Sequence, residues 1–171
     1  EDESGGFPSA YMVQAGLEGS GYIRSRWSYR WFVEYASNSC DALKSQVGFG
    51  CAYNHRIYET GYRYRGRVVG HSAEGDARVG SAGIVFANTE ATTWQFLFRS
   101  GDLNRGNGDP MLKARNTLTS TTTEIVSADI QFGMSTRFGR FELGAGVEQL
   151  EDAVTGIETE DIRAFLSWTS L

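Results

Sequence analysis

The sequence is poor in proline, cysteine and long apolar runs. Only two prolines and two cysteines occur among its 171 residues, and no apolar run approaches the ~18 residues that a transmembrane helix needs. A transmembrane helix is therefore excluded. A second pair of metal ligands at finger spacing is also lacking, which argues against a zinc site. The formal charge of −5 argues against nucleic acid as a partner.

Residues 26–37, RWSYRWFVEYAS, indicate the fold class. Trp27, Tyr29, Trp31, Val33 and Tyr35 fall on one side of a period-2 strand, and Ser28, Arg30, Glu34 and Ala36 fall on the other, with Phe32 as the exception. A globular strand usually has ~5 to 6 residues, whereas a tilted strand that crosses a bilayer needs ~9 to 11. The length and the two-faced pattern favour a membrane barrel over a long β-sandwich strand.

Further two-faced segments predict six more strands, at residues 10–19, 77–87, 92–100, 123–136, 141–148 and 162–169. Glycine and serine at 19–21 predict a turn, and residues 101–120 and 151–160 predict polar loops. The predicted inner face carries seven charged residues: Arg30, Glu34, Arg99, Asp129, Glu142, Glu148 and Arg163. The whole pattern predicts an all-β fold, an antiparallel transmembrane β-barrel of the bacterial outer membrane.

The connections predict the orientation of this barrel. Outer-membrane barrels have short periplasmic turns and long extracellular loops, so the long connections should face the cell exterior. Trp27, Trp94, Phe141 and Trp168 then lie near the periplasmic interface, where aromatic residues are enriched. Single-chain bacterial barrels have an even strand number. We therefore expect residues 1–171 to be the C-terminal portion of a single larger barrel domain, about seven to nine strands of it, whose partners include outer-membrane lipid and the missing N-terminal part.

The longest excursion from the predicted barrel, at about 38–76, is the predicted functional region. Four of the eight tyrosines lie in it and interleave with arginines. Tyrosine offers a flat face to sugar rings, and arginine offers a planar fork to carboxylate or phosphate, so the pattern predicts a surface for an acidic glycan. The candidate glycan-binding residues are Tyr53, His55, Arg56, Tyr58, Tyr62, Arg63, Tyr64 and Arg65.

Two other arrangements of this excursion remain open from the sequence. It could be a packed hairpin plug, with its arginines paired to Glu59, Glu74 or carboxylates of the lumen. Alternatively, residues 47–53 and 62–68 could form an extra strand pair that lines the lumen with Arg63, Arg65 and Arg67.

The two cysteines, Cys40 and Cys51, lie close together in a polar region of this excursion. In an oxidising compartment a bridge between them would stabilise the short loop by about 3 kcal/mol on a chain-entropy estimate. We therefore expect a disulfide, with two free thiols as the alternative.

Several motifs give a resemblance to a known family. They are EDESG with Pro8, Ser9 and Ala10, then Gly16, Glu18-Gly19, the WFVEY strand, Gly70 and Gly75-Asp76, and above all the H-x-I-Y-x-x-G-Y run from His55 to Tyr62. In these the chain resembles the C-terminal half of the Wzi-type capsule assembly proteins. The RYRGR segment and the cysteine pair are not matched to the family pattern.

The resemblance implies an eighteen-stranded outer-membrane barrel, with a periplasmic helical part toward its N-terminus. It also implies a lectin that holds capsular polysaccharide at the cell surface. No cofactor or metal is expected.

The sequence suggests three rival functions. A barrel enzyme would need an acid, base or nucleophile set, for which His71-Ser72 with Glu74 or Asp76 is the only candidate, so we expect no catalytic residues and no enzyme. Residues 101–110 superficially resemble a calcium loop, but Gly106 and Lys113 stand where ligands belong. An outer-membrane porin or solute channel is the alternative function.

Overall fold

The computed structural model describes residues 11–24, 26–40, 48–53, 62–65, 67–106 and 116–170. In chain order its strands are β1 (Val13–Ile23), β2 (Trp27–Ser37), β3 (Arg63–Tyr64), β4 (Arg67–Val68), β5 (Arg78–Asn88), β6 (Thr92–Leu103), β7 (Thr123–Thr136), β8 (Gly139–Asp152) and β9 (Glu158–Thr169). Seven of them form one antiparallel sheet in the order β1-β2-β5-β6-β7-β8-β9, and β3 and β4 form a separate hairpin. Within these ranges no helix is long and apolar enough to cross a membrane.

The two faces of the sheet differ in chemistry along their whole length. We call the face that carries Trp31 and Phe96 the outer face, and the face that carries Glu34 and Arg99 the inner face. One row of cross-strand neighbours on the outer face is entirely apolar: Leu17, Val33, Ala82, Phe98, Ala128, Val147 and Ile162. Four positions further along the strands, the outer row is polar and charged on every strand except β1, which contributes Val13: Ser37, Arg78, Asp102, Glu124, Glu151 and Glu158. The apolar band therefore ends at this row.

The two ends of the sheet differ in the length of their connections. At one end residues 24–26, 89–91 and 137–138 join successive strands. At the other end the connections are 38–77, 104–122 and 153–157. The aromatic residues predicted for one interface do lie at the short-turn end. There the ring centroids of Trp94 and Phe132 are 4.7 Å apart, and those of Phe141 and Trp168 are 6.4 Å apart.

Phe32, the exception in the pattern of β2, points to the inner face. Its cross-strand partner is Gly83, and a Cβ at Gly83 would overlap the Phe32 ring. The glycine therefore gives the ring room to lie along the sheet. Elsewhere on this face charges are paired: Arg30 with Glu18 at 2.6 Å, and Arg163 with Asp129 at 2.9 Å.

The turn predicted at 19–21 is wrong, because β1 continues through these residues to Ile23. Gly19 lies opposite Trp31, and Gly21 lies opposite Tyr29. A Cβ at Gly19 would come within 2.8 Å of the Trp31 ring nitrogen, and one at Gly21 within 2.7 Å of the Tyr29 oxygen. The absence of a side chain at Gly19 and Gly21 leaves room for these two rings. The chain reverses between the end of β1 at Ile23 and the start of β2 at Trp27.

The extra strand pair at 47–53 and 62–68 is also wrong. All eleven positions of β2 pair directly with β5, so nothing is inserted between them in the sheet. Residues 63–64 and 67–68 form only a two-residue hairpin, outside the seven-stranded sheet. The spanning strands number seven within the described residues, the lower end of the predicted range. The predicted loops at 101–120 and 151–160 are shorter, because β6 continues to Leu103, β8 ends at Asp152 and β9 begins at Glu158.

A small core lies on the inner face at the long-loop end. It joins Ala73 and Ala77 of the 38–77 connection to strand residues Val79, Leu103 and Ile125. All five are buried. The end of the 38–77 connection, with Ala73 and Ala77, therefore packs on the inner face of the sheet.

Candidate functional site

The candidate glycan-binding residues divide into two groups in the structure. Tyr53, Tyr62, Arg63, Tyr64 and Arg65 lie among the described residues. The other three candidates, His55, Arg56 and Tyr58, lie outside them.

Tyr53 is an anchor for the surrounding backbone. Its φ of 60° is uncommon for a residue other than glycine. Its carbonyl accepts hydrogen bonds from the Tyr62 amide at 2.8 Å and from Arg63 at 3.5 Å. Its hydroxyl accepts one from the His71 amide at 3.2 Å, and its ring lies against Gly70. Tyr53 therefore holds both ends of the hairpin together and offers little free ring surface to a ligand.

Tyr62, Tyr64 and Arg65 form an exposed surface on the β3–β4 hairpin, which we call the hairpin surface. Tyr62 is 69% exposed and Tyr64 is 67% exposed, so most of each ring is available. The guanidinium of Arg65 lies 5.4 Å from the centre of the Tyr64 ring. Arg67 on β4 is also exposed. Two aromatic faces and planar cations thus occur together within a few residues, the combination that binds an anionic sugar.

A disulfide and a half-buried carboxylate hold the base of the excursion. Cys40 and Cys51 are bonded to each other. Both carboxylate oxygens of Asp76 accept a hydrogen bond from the Gly50 amide, at 2.8 and 3.0 Å. Burial raises the pKa of Asp76, while the hydrogen bond from Gly50 and the charge of Arg105 act in the opposite direction. These contacts fasten residues 48–53 to the start of β5.

Glu74 fastens the 38–77 connection to the neighbouring 104–122 connection. Its side chain is buried, and its carboxylate accepts hydrogen bonds from the Thr117 amide at 2.7 Å and from the Thr117 hydroxyl. The side-chain amide of Asn38 donates a hydrogen bond to the backbone carbonyl of Glu74 at 2.8 Å. The contacts between Glu74 and Thr117 therefore tie together the described parts of the two long connections, which we call the tied layer.

Below this layer lies a cavity of about 280 Å³ on the inner face. Its polar lining includes Glu34, Arg99 and Glu148 from the strands and His71 from the connection. The His71 Nδ1 accepts a hydrogen bond from the Ala73 amide at 3.2 Å, so this nitrogen is unprotonated. Burial lowers the pKa of His71; Glu34 raises it and Arg99 lowers it. The sequence reasoning placed Glu34, Arg99 and Glu148 on the inner face and did not connect them to His71 or to a cavity.

The rival chemistries find no support in the described residues. His71 contacts Ala73, whereas the carboxylates of Glu74 and Asp76 are held by Thr117 and Gly50. An acid–base–nucleophile chain is thus not assembled there. In the same ranges no group of three His, Cys, Asp or Glu side chains could hold a metal ion. The predicted calcium-like loop falls partly outside the described residues, which resume at 116.

A match to a protein-family model shows which family the chain belongs to. The model of the capsule assembly protein Wzi family matches residues 1–154. The chain belongs to this family. The resemblance inferred from the motifs is therefore confirmed, and the Wzi family match covers the hairpin surface, the disulfide and the cavity walls up to β8. Among curated proteins, none matches the sequence.

A solved structure of this family shows the fold. Wzi of Escherichia coli, an outer-membrane protein involved in group 1 capsule assembly, is a carbohydrate-binding β-barrel. It matches all of this chain with a TM-score of 0.68 and 19% sequence identity. The chain spans 36% of the length of that protein. The predicted fold class is therefore confirmed: the open seven-stranded sheet is the fold of one part of a larger antiparallel barrel.

Proposed function

We propose that the protein binds capsular polysaccharide at the outer surface of the outer membrane and helps to assemble or anchor the capsule there. The observation that carries the proposal is the hairpin surface, where Tyr62, Tyr64 and Arg65 are exposed together at the long-loop end of a barrel sheet. Family membership supports the same function, because a relative with this fold binds carbohydrate.

The chemistry of the hairpin surface favours an acidic polysaccharide. The two tyrosine rings offer apolar faces to the C–H faces of sugars, and their hydroxyls hydrogen-bond to sugar hydroxyls. Arg65 and Arg67 add positive charge beside these rings, and a guanidinium binds a carboxylate through two parallel hydrogen bonds. A neutral polysaccharide would use only the first set of contacts.

The distribution of side chains supports an orientation in which the long connections face the cell exterior. The aromatic residues of the short-turn end pair across β6, β7, β8 and β9, as a girdle at a membrane interface does. The charged outer row with Arg78 and Asp102 then marks the exterior boundary of the apolar band. The hairpin surface belongs to the 38–77 connection at this same end of the sheet, and its exposed tyrosines could be reached by a surface polysaccharide.

The proposed activity is binding without catalysis. The two carboxylates nearest to His71 in sequence, Glu74 and Asp76, hold backbone and hydroxyl groups of the excursion. Their contacts give them a structural role, and no cofactor is required for stacking or ion pairing.

A glycan array probed with the full-length protein tests this function. Acidic polysaccharides should be retained more strongly than neutral ones, and retention should weaken as salt is added because screening acts on the arginine contacts. Failure to retain any capsular polysaccharide would overturn the proposal.

A solute channel is the second candidate, because the inner face is polar and carries ion pairs such as Arg163 with Asp129. An open channel conflicts with the tied layer, part of which packs on this face. Single-channel conductance of the full-length protein in planar bilayers separates the two functions. Steady ion conductance without glycan binding would favour the channel.

A further inference from the structure

The inner-face cavity is lined by one arginine, Arg99, that has no ion-pair partner within the described residues. The other arginines of the long strands form close ion pairs within the described residues, namely Arg30, Arg78, Arg140 and Arg163. In those same ranges no ion pair or side-chain hydrogen bond involves Arg99. Arg99 nevertheless lines the cavity and is half-buried. A guanidinium in a sheltered site interacts more strongly with an anion than one in open water.

The strand register explains why Arg99 is not paired. Its two cross-strand neighbours are Ser81 and Ser127, and the next residues in the same row are Glu34 and Glu148. Neighbouring strands lie about 4.8 Å apart, and one serine-bearing strand separates Arg99 from each glutamate. The backbone of each glutamate is therefore about 10 Å from the backbone of Arg99. The row places an arginine between two small side chains, with an acid beyond each one, and thereby leaves open space on both sides of the guanidinium.

The rest of the cavity wall has apolar side chains and carboxylates, which suit the C–H groups and hydroxyls of a sugar ring. Apolar side chains of the small core, including Val79, Leu103 and Ile125, form the part of the lining nearest to the long connections. A pyranose ring presents C–H groups that pack on such a wall, and hydroxyls that donate to carboxylates such as Glu34 and Glu148. A volume of about 280 Å³ lies just below the range of ~300 to 1,000 Å³ for ligand sites. It suits a single sugar ring and is too small for an oligosaccharide.

We propose that this cavity is a second glycan site, which binds one hexuronate residue with its carboxylate on Arg99. The inference rests on the proposed polysaccharide-binding function and assigns a part of it to the lumen. The carboxylate of the sugar binds the guanidinium of Arg99, and the sugar hydroxyls donate to Glu34 and Glu148. The two fixed acids disfavour ligands with several negative charges, so the site selects a monoanionic sugar over a phosphate or a polysulfated sugar.

The test measures binding of free glucuronate and of glucose to the full-length protein by ligand-observed NMR. We expect glucuronate to bind at least about tenfold more tightly than glucose, since one charge-assisted pair has that magnitude. Arg99→Gln should abolish this preference. Arg99→Lys should keep part of it, because a lysine retains the charge and loses the planar fork. Arg78→Gln is the matched control, since Arg78 lies on β5 at the same end of the sheet and faces outward.

The outcomes distinguish this inference from the proposed function. Glucuronate binding that is equal in the wild type and in Arg99→Gln, or no glucuronate binding by the wild type, overturns the cavity site. Polysaccharide binding, measured on the same preparations, tests the hairpin surface independently of the cavity. If Tyr62→Ala with Tyr64→Ala removes polysaccharide binding while glucuronate still requires Arg99, both proposals hold. If no polysaccharide binds, the proposed function fails, and the glucuronate result still decides the cavity.

Discussion

The ring of Tyr53 lies against Gly70, where any side chain at position 70 would collide with the ring. This contact joins Tyr53, which lies shortly after the disulfide-bonded Cys51, to Gly70, which lies shortly after the end of β4. The position of the hairpin surface therefore depends on a glycine that touches no ligand.

Gly70→Ala should displace the hairpin. The added methyl group overlaps the Tyr53 ring, and overpacking of this kind costs about 1 to 3 kcal/mol. Limited proteolysis of the full-length protein should cleave the variant faster between residues 53 and 70 than the wild type. Gly80→Ala is the control, since the nearest atom to its new methyl group is 3.8 Å away. Equal cleavage of wild type and Gly70→Ala would contradict the role of this contact.

The disulfide should stabilise the excursion and leave the barrel unaffected. Cys40 and Cys51 lie 11 residues apart, and closing a loop of this size contributes about 3 kcal/mol on the chain-entropy estimate. Cys40→Ser with Cys51→Ser should therefore speed hydrogen exchange in residues 48–53 without changing heat-modifiable migration on detergent gels. Thiol labelling of both cysteines in intact cells without reductant would contradict the bridge.

Acidification should loosen the connection that carries His71. The pKa of His71 lies below its ordinary 6.5 because burial disfavours the charged ring. The folded state therefore prefers neutral histidine, so this stabilisation is complete above about pH 6.5 and is lost as the pH falls through the lower folded pKa. Protonation of Nδ1 also removes the acceptor for the Ala73 amide. Hydrogen exchange of residues 70–77 should therefore reveal greater opening at the lower pH in the wild type. His71→Gln, which does not titrate, should show no such pH dependence, and identical behaviour of the two proteins would contradict this reasoning.

The 171-residue chain expressed alone should not form a closed barrel. Its outermost strands, β1 and β9, are not paired with each other in the described sheet. Two free strand edges in hydrocarbon leave backbone groups unsatisfied, at a cost of several kcal/mol each. The chain alone should therefore lack the heat-modifiable migration expected of a closed barrel. Heat-modifiable migration of the isolated chain at the monomer position would refute this expectation.

The barrel strands could be predicted from the sequence because a period of two residues directly determines the face of each side chain. The same reasoning failed at Gly19 and Gly21, where glycine and serine look like a turn. Their role depends on Trp31 and Tyr29, which lie opposite them only once β1 and β2 are in register. Glycine and serine predict a turn because they allow local backbone freedom. These two glycines are instead required by side chains on the neighbouring strand, which local sequence does not show.

The site could be predicted only where its chemistry lies in one segment. The tyrosine and arginine pattern is contiguous, so the hairpin surface was recognisable as a candidate. Glu34, Arg99 and Glu148 are far apart in sequence and become one row only through the pairing of five strands. The anchoring role of Tyr53 likewise depends on the contact with Gly70, which lies beyond the hairpin.

The central claim is that the hairpin surface binds an acidic polysaccharide, and the salt dependence of two double variants of the full-length protein tests it most directly. Arg65→Ala with Arg67→Ala removes charge and spares Arg63, which supports Tyr53. Tyr62→Ala with Tyr64→Ala removes the ring faces. Arg137→Ala is the control, since Arg137 forms a similar pair with Phe138 at the short-turn end.

In this measurement the arginine variant should bind acidic polysaccharide about tenfold or more weakly at low salt, with a much smaller loss at high salt where screening already weakens the wild type. The tyrosine variant should lose affinity by a similar factor at both salt concentrations, because stacking is not ionic. Arg137→Ala should bind like the wild type. Wild-type affinity in both double variants, each with normal heat-modifiable migration, would contradict the account.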